Sequence, residues 1–335
     1  MNIEKQYVDL VRNILENGIE KQPTRIENGK AVNVENSTIG LPHTMIQHDM
    51  SKGFPLMTHK KMAFKTMLVE LEGFIKGITD KNWYKERGCK IWNEWCNPYA
   101  GGEFIDDAVS SELAINNDPS NPFTREDFIK LKKEYQKRCS DIGAVYGYQW
   151  RNFGQQYGTS ESINGNKNIN GLEKGFDQLK SICDKLRANP YDRRMVCSAW
   201  NPNQLDIMAL HPCHALFNIV VYGDKLNLCW FQRSVDTMYG LPFNIASYAT
   251  LLLLLCKHTE GYTNLKPGTL TGFLGDCHIY HNQIEGTKEM LKRELKPLPK
   301  LELTHSSDLF DWTHKDVKLT GYNPGDKINF GEITV

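Results

Sequence analysis

The chain of 335 residues has no charge bias: 40 Lys and Arg stand against 40 Asp and Glu. Without a basic excess there is no broad electrostatic footprint for duplex nucleic acid or an anionic membrane, so a charged partner must be bound locally. There is no long apolar run either. The most apolar stretch, "YATLLLLLCKH", is too short to span a bilayer and follows Asn244 and Ser247, which suits a buried helix. The segment "MNIEKQYVDLVRNILENG" is charged throughout and lacks the apolar core of a signal peptide, so a cytoplasmic protein is expected. The nine cysteines are odd in number and without paired spacing, as expected of reduced thiols rather than a disulfide scaffold. No CxxC or HExxH spacing occurs; "HPCH" and "DCHIYH" are rich in ligand types, yet zinc needs four convergent ligands, and no metal site is predicted.

What is there is a mixed pattern. Apolar residues recur with helical period over 3–17, 61–77 and 173–188. Strand-like runs occur at "MVCSAW", "HALFNIVVYG" and "KLNLCWFQRS", the last two separated by Gly223 and Asp224 as in a hairpin. "GLPFNIASYATLLLLLCKH" then predicts a buried helix with Pro242 near its first turn. Strands with segregated helices predict an α/β protein of the α+β type, one domain over 1–335. Two stretches rich in Asn, Gly and Pro, 97–140 and 158–172, are expected to be excursions from it.

Cys213 opens the first strand of the hairpin, between Pro212 and His214. Such a cysteine is ordinarily packing, but its neighbours are unusual: Asp192, Arg193 and Arg194; then Gln232, Arg233, Ser234 and Asp236; then Asn244, His278 and Tyr280. A guanidinium fork beside a serine hydroxyl is a natural phosphate clamp. Arginines near a cysteine also favour its thiolate, the nucleophilic form. Asn244 offers one acceptor and two donors, so it can accept from a uracil N3–H while donating to O4, a pattern that cytosine reverses; it can equally cap the following helix.

"MALHPCHALF", "QRSVDTMYGLPFNIASYA", "YDRRMVCSAWNP", "GAVYGYQWRNFG", "KIWNEW", "GFPLMTHKK" and "GDCHIYHNQI" together resemble segments of the thymidylate synthases, in a compatible order over most of 53–335, with 97–140 as an insertion. The resemblance implies a three-layer fold with a large mixed sheet, a homodimer, and reductive methylation of dUMP by methylenetetrahydrofolate. It implies roles residue by residue. Cys213 adds to C6 of the uracil, Glu70 works through water at O4, and Tyr146 positions the water that takes the C5 proton. Arg233 and Ser234 hold the phosphate with Arg193 and Arg194 of the other subunit, and Arg25 is the counterpart of an N-terminal phosphate arginine. His278 and Tyr280 take the ribose hydroxyl, Asn244 the base and Asp236 the pterin. Trp92 and Trp95 line the folate side, and Val335 brings its carboxylate over the closed site. No membrane and no obligatory nucleic acid are implied. This sequence departs from the family pattern at Gly73, where a tryptophan is usual, at His211, where proline is common, and in its C-terminal "GEITV". These departures leave hydroxymethylation of dUMP open, with water in place of hydride. Because a fold can be reused without its chemistry, the resemblance also leaves open a nucleotide- or RNA-binding protein without turnover.

Overall fold

In the computed structural model the hairpin forms as the sequence suggests. Gly223 adopts a φ of +59°, the left-handed geometry that a two-residue hairpin loop demands of its first residue. From there His214–Tyr222 and Lys225–Asp236 pair antiparallel, out to His214 opposite Gln232. Lys225–Asp236 also pairs in parallel with Lys266–Tyr280, whose other edge runs antiparallel to Thr38–Asp49. With Ile19–Lys21 and Val196–Ser198 at its margins this is a six-stranded mixed sheet. The described residues are 2–27, 30–33, 36–100, 103–115, 122–157, 175–304 and 308–331. The chain falls into two units: Met1–Met67, Ile182–Val196 and Cys213–Val335; and Leu68–Ser181 with Cys197–Pro212.

In the first unit, the helix Gly240–His258 packs on the strands Lys225–Asp236 and Lys266–Tyr280. It is long and apolar enough to cross a membrane, yet its apolar residues are spent on the core: Leu241, Ile245, Leu251, Leu252, Leu254 and Leu255 are fully buried. At about 1.5–3 kcal/mol for each large aliphatic side chain removed from water, this helix is a principal stabiliser of the sheet. Asn2 caps the helix Ile3–Asn17, whose apolar face of Tyr7, Val11 and Ile14 is buried and which packs along Thr38–Asp49. Across the sheet, Met45, Phe273 and Phe231 stand in register on three adjacent strands. They are 52%, 45% and 39% exposed, an apolar row facing solvent.

The second unit contains Lys81–Glu86, Tyr146–Asn152 and most of the helix Phe64–Lys76, which starts three residues later than the sequence pattern suggests. The stretch 97–140 contributes two helices, Ile105–Ile115 and Arg125–Arg138, the second opened by a capping box between Thr124 and Asp127. They pack around Ile105, Val109, Leu113, Phe128 and Leu131. The other excursion, 158–172, lies outside the described residues. The helix expected over 173–188 runs over Gln178–Ala188.

Candidate active site

Sheet register assembles one group of side chains in the first unit. Cys213 is the residue before the strand His214–Tyr222, and its carbonyl accepts the N–H of Arg233 at 2.8 Å. The cysteine and the arginine are therefore neighbours across the hairpin, both half-buried. One strand further, Ser234 lies opposite Asp276 and Asp236 opposite His278. The Tyr280 ring meets His278 edge-on at 5.1 Å. Burial pushes the Tyr280 hydroxyl up to about 12, aided by the negative charges of Asp236, Cys213 and Asp276. Cys213, Arg233, Ser234, Asp236, His278 and Tyr280 thus share one end of the sheet.

Several of these side chains already have partners. Asp236 Oδ1 accepts the N–H groups of Met238 and Tyr239 at 2.9 and 3.0 Å, fixing the turn into the helix Gly240–His258, while Oδ2 accepts from Gln283 at 3.4 Å. Asn244 is the fifth residue of that helix, so it is not the cap; its half-buried amide makes no hydrogen bond to another described residue. His278 Nδ1 is 3.2 Å from the Asp276 carbonyl oxygen, and the Asp276 carboxylate also takes the Lys21 ammonium at 2.6 Å. His278 first and then Lys21 hold that carboxyl well below the usual range against the opposing effect of burial. Next to Cys213, His214 is buried with Nδ1 2.8 Å from the Tyr248 hydroxyl, and burial draws its pKa down to about 3, so it is neutral.

Two further groups were not singled out by sequence reasoning. Lys60 is buried, donates to the Met238 carbonyl and lies 4.6 Å from the centre of the Phe330 ring. Burial draws its pKa down to about 7 against the pull of Asp236. Nothing in "THKK" distinguishes it from the exposed Lys61. Tyr239 donates to the Gly331 carbonyl at 2.8 Å, docking the last described residue beside this group; Val335 lies outside the described residues.

Other predicted residues of this unit stand apart from the Cys213 group. Arg193 and Arg194 are exposed, and Arg194 forks onto the Asp192 carboxylate at 3.1 and 3.2 Å. Arg193 has no side-chain partner among the described residues. Arg25 lies in the strand Thr24–Glu27, paired with Val32 in a separate two-stranded ribbon.

The second unit holds an acid beside a cage of aromatic rings. Phe74 stacks on Tyr146 at 4.8 Å, and Trp92 meets both edge-on at 6.4 and 6.2 Å. Burial raises the Glu70 carboxyl to about 7, with the Trp92 indole pulling the other way. Glu70 in turn helps burial lift the Cys89 thiol to about 12 and the Tyr84 hydroxyl well above its ordinary range. A carboxyl near neutrality can both give and take a proton at working pH. Tyr146 opens the helix Tyr146–Asn152, pinned by Gln149, which donates to the Ala144 carbonyl at 2.9 Å and to Gln204 at 2.7 Å. Gly73 has its reason here: a Cβ on it would lie 2.2 Å from the Tyr84 ring, so that ring occupies the space of the missing side chain. Trp95 is not in the cage; half-exposed, it lines a cleft of about 460 Å³ with Cys96, Phe104 and Ile105. Among the described residues no group of three His, Cys, Asp or Glu side chains converges as a metal would require.

Comparison with known proteins bears on this arrangement. The thymidylate synthase family profile matches residues 5–334. Thymidylate synthase of Mycoplasma pneumoniae is 35% identical over 331 residues, 99% of this chain and 100% of that protein. The Mycoplasma genitalium enzyme of the same name is 36% identical, covering 95% and 96%, and that of Mesoplasma florum 36%, covering 99% and 100%.

Proposed function

The chain belongs to the thymidylate synthase family, and on that premise we propose how its own residues carry the reductive methylation of dUMP to dTMP. Hydroxymethylation and binding without turnover are not favoured, because the relatives matched over nearly their full length are synthases. Arg233 and Ser234 hold the phosphate, with Arg25 and with Arg193 and Arg194 supplied by a second copy of the chain. His278 and Tyr280 take the ribose hydroxyl. Asn244 reads the base: its uncommitted amide accepts from N3–H and donates to O4, and a cytosine would leave both groups mispaired.

The Cys213 thiolate adds to C6 of the uracil, which turns C5 into a nucleophile. Methylenetetrahydrofolate, the co-substrate of the family, supplies the one-carbon unit and the hydride. Glu70, holding a proton near neutral pH, hands it through water to O4 and assists departure of the folate amine. Tyr146 orients the water that accepts the C5 proton. Trp92 and Trp95 offer aromatic faces to the pterin and p-aminobenzoyl rings, Asp236 its less committed Oδ2 to the pterin, and Val335 its carboxylate. The row of Met45, Phe273 and Phe231 supports a homodimer joined through this sheet face. Nine cysteines without a disulfide support a reduced, cytoplasmic setting.

The observation that carries the reading is the bond from Arg233 N–H to the Cys213 carbonyl, with Ser234 next in line: clamp and nucleophile are built into one hairpin. The test is to incubate the protein with dUMP and methylenetetrahydrofolate, follow dihydrofolate by its absorbance and weigh the nucleotide. Cys213→Ser is expected to abolish turnover while dUMP binding persists. Near-normal turnover by the purified variant would refute the nucleophile assignment.

A further inference from the structure

The insertion 97–140 takes no part in the chemistry above, yet its root is laced with polar contacts. Lys81 is buried, and its Nζ donates to the carbonyls of Asn93, Trp95 and Gln136 at 3.3, 3.1 and 2.8 Å. Asn97 donates its N–H to the Asp141 carbonyl at 2.7 Å and its side-chain amide to the Asp141 carboxylate at 3.0 Å. The N–H of Lys81 bonds the Ser140 carbonyl at 2.7 Å. These bonds draw together the residues just before the insertion and those at its end. A cysteine sits on each side: Cys96 leads in, and Cys139 ends the helix Arg125–Arg138. Cys139 packs against the cluster containing Cys96, Ile105 and Val109, and its thiol donates to the Asp141 carbonyl at 3.5 Å. Cys96 also lines the 460 Å³ cleft and Cys139 is itself half-exposed, so a small solute can reach the pair.

We propose that Cys96 and Cys139 are an oxidisable dithiol, which a hydroperoxide converts to a disulfide that closes the root of the insertion. The pair is chemically unequal. Cys139 is the more exposed of the two, and the Cys96 thiol beside it, with the Lys81 ammonium assisting, draws its pKa down while that of Cys96 is raised. Cys139 is therefore the attacking thiolate and Cys96 the resolving thiol. The Cys139 sulfur attacks one peroxide oxygen, the O–O bond breaks and hydroxide leaves, giving a sulfenic acid. The Cys96 sulfur then displaces the hydroxyl group, which departs with the Cys96 proton as water. Two thiols lose two electrons and two protons, and one peroxide is reduced to two waters. Neither cysteine belongs to the proposed reaction, so the site is independent of it.

The experiment uses the full-length chain carrying Cys213→Ser, which removes the nucleophilic thiol as a competing target. After brief treatment with hydrogen peroxide, free thiols are alkylated and the protein is digested and weighed. The expected product is about 2 Da lighter, as two lost hydrogens require, yields a Cys96–Cys139 linked peptide, and melts a few degrees higher until dithiothreitol reverses it. With Cys96→Ser added, oxidation should halt at a Cys139 sulfenic acid trapped by dimedone. Peroxide that oxidises other thiols and leaves these two alkylatable would overturn the proposal. So would dimedone labelling of Cys139 that is equally strong with Cys96 in place.

Discussion

Glu70→Gln isolates the cost of a buried carboxylate. A carboxyl raised from its ordinary 4.5 to about 7 by burial keeps its proton in the folded chain over a range where the unfolded chain has lost it. The sign follows from linkage: its contribution to stability is whole below 4.5 and is lost as pH rises through 7. The displacement corresponds to about 3 kcal/mol, and because the Glu70 side chain is not completely enclosed about 2–3 kcal/mol is expected. Glutamine has the same shape and cannot ionise. Every other titrating group is common to both proteins and cancels in their difference. Urea unfolding followed by tryptophan fluorescence should therefore show the variant gaining about 2 kcal/mol on the parent between pH 5 and pH 8.5. A difference that is constant with pH, or that moves the other way, would refute the burial argument. Turnover should fall at least about 100-fold in the same variant, since an amide cannot pass on a proton.

An inactive Cys213→Ser chain mixed with an inactive Arg193→Ala/Arg194→Ala chain should regain activity, because in the heterodimer one of two sites has every part; no recovery in demonstrated heterodimers would mean each chain builds its own phosphate site. Asn244→Asp should lower the dUMP/dCMP ratio of kcat/KM at least about tenfold, since one lost buried hydrogen bond is worth about 1–3 kcal/mol; an unchanged ratio would remove Asn244 from base reading. Gly73→Ala should destabilise by about 1–3 kcal/mol through its clash with the Tyr84 ring, and Tyr84→Leu should recover part of that. Additive losses in the double variant would show that the two positions do not share space.

Elements that carry their own local signal were legible in the sequence. The helix Ile3–Asn17 has its cap and its stripe, and the hairpin has Gly223 at its corner. The strands Thr38–Asp49 and Lys266–Tyr280 were not read, although they form the middle of the sheet. Lys266–Tyr280 is paired on both edges and buried on both faces toward its end, so it shows no alternation, and "GDCHIY" drew notice for its chemistry instead. The candidate site was legible as a set of residue types, but three features arise only in the folded chain. Asp236 holds a helix turn, Lys60 is buried while Lys61 is not, and Tyr84 fills the space above Gly73. Each depends on a contact between segments that no local pattern encodes.

The backbone hydrogen bond from the Arg233 N–H to the Cys213 carbonyl also acts as a ruler. The span between the Cys213 and Arg233 side chains is set by backbone pairing, and a slip of one residue would turn either side chain to the opposite face of the sheet. In the function proposed above, the reach from base to phosphate would be gauged by the sheet and the identity of the base by a helix, at Asn244. Because the two sets of residues sit on separate elements, the proposal implies that the preferred pyrimidine could change by substitution while the reach to a monophosphate stays the same.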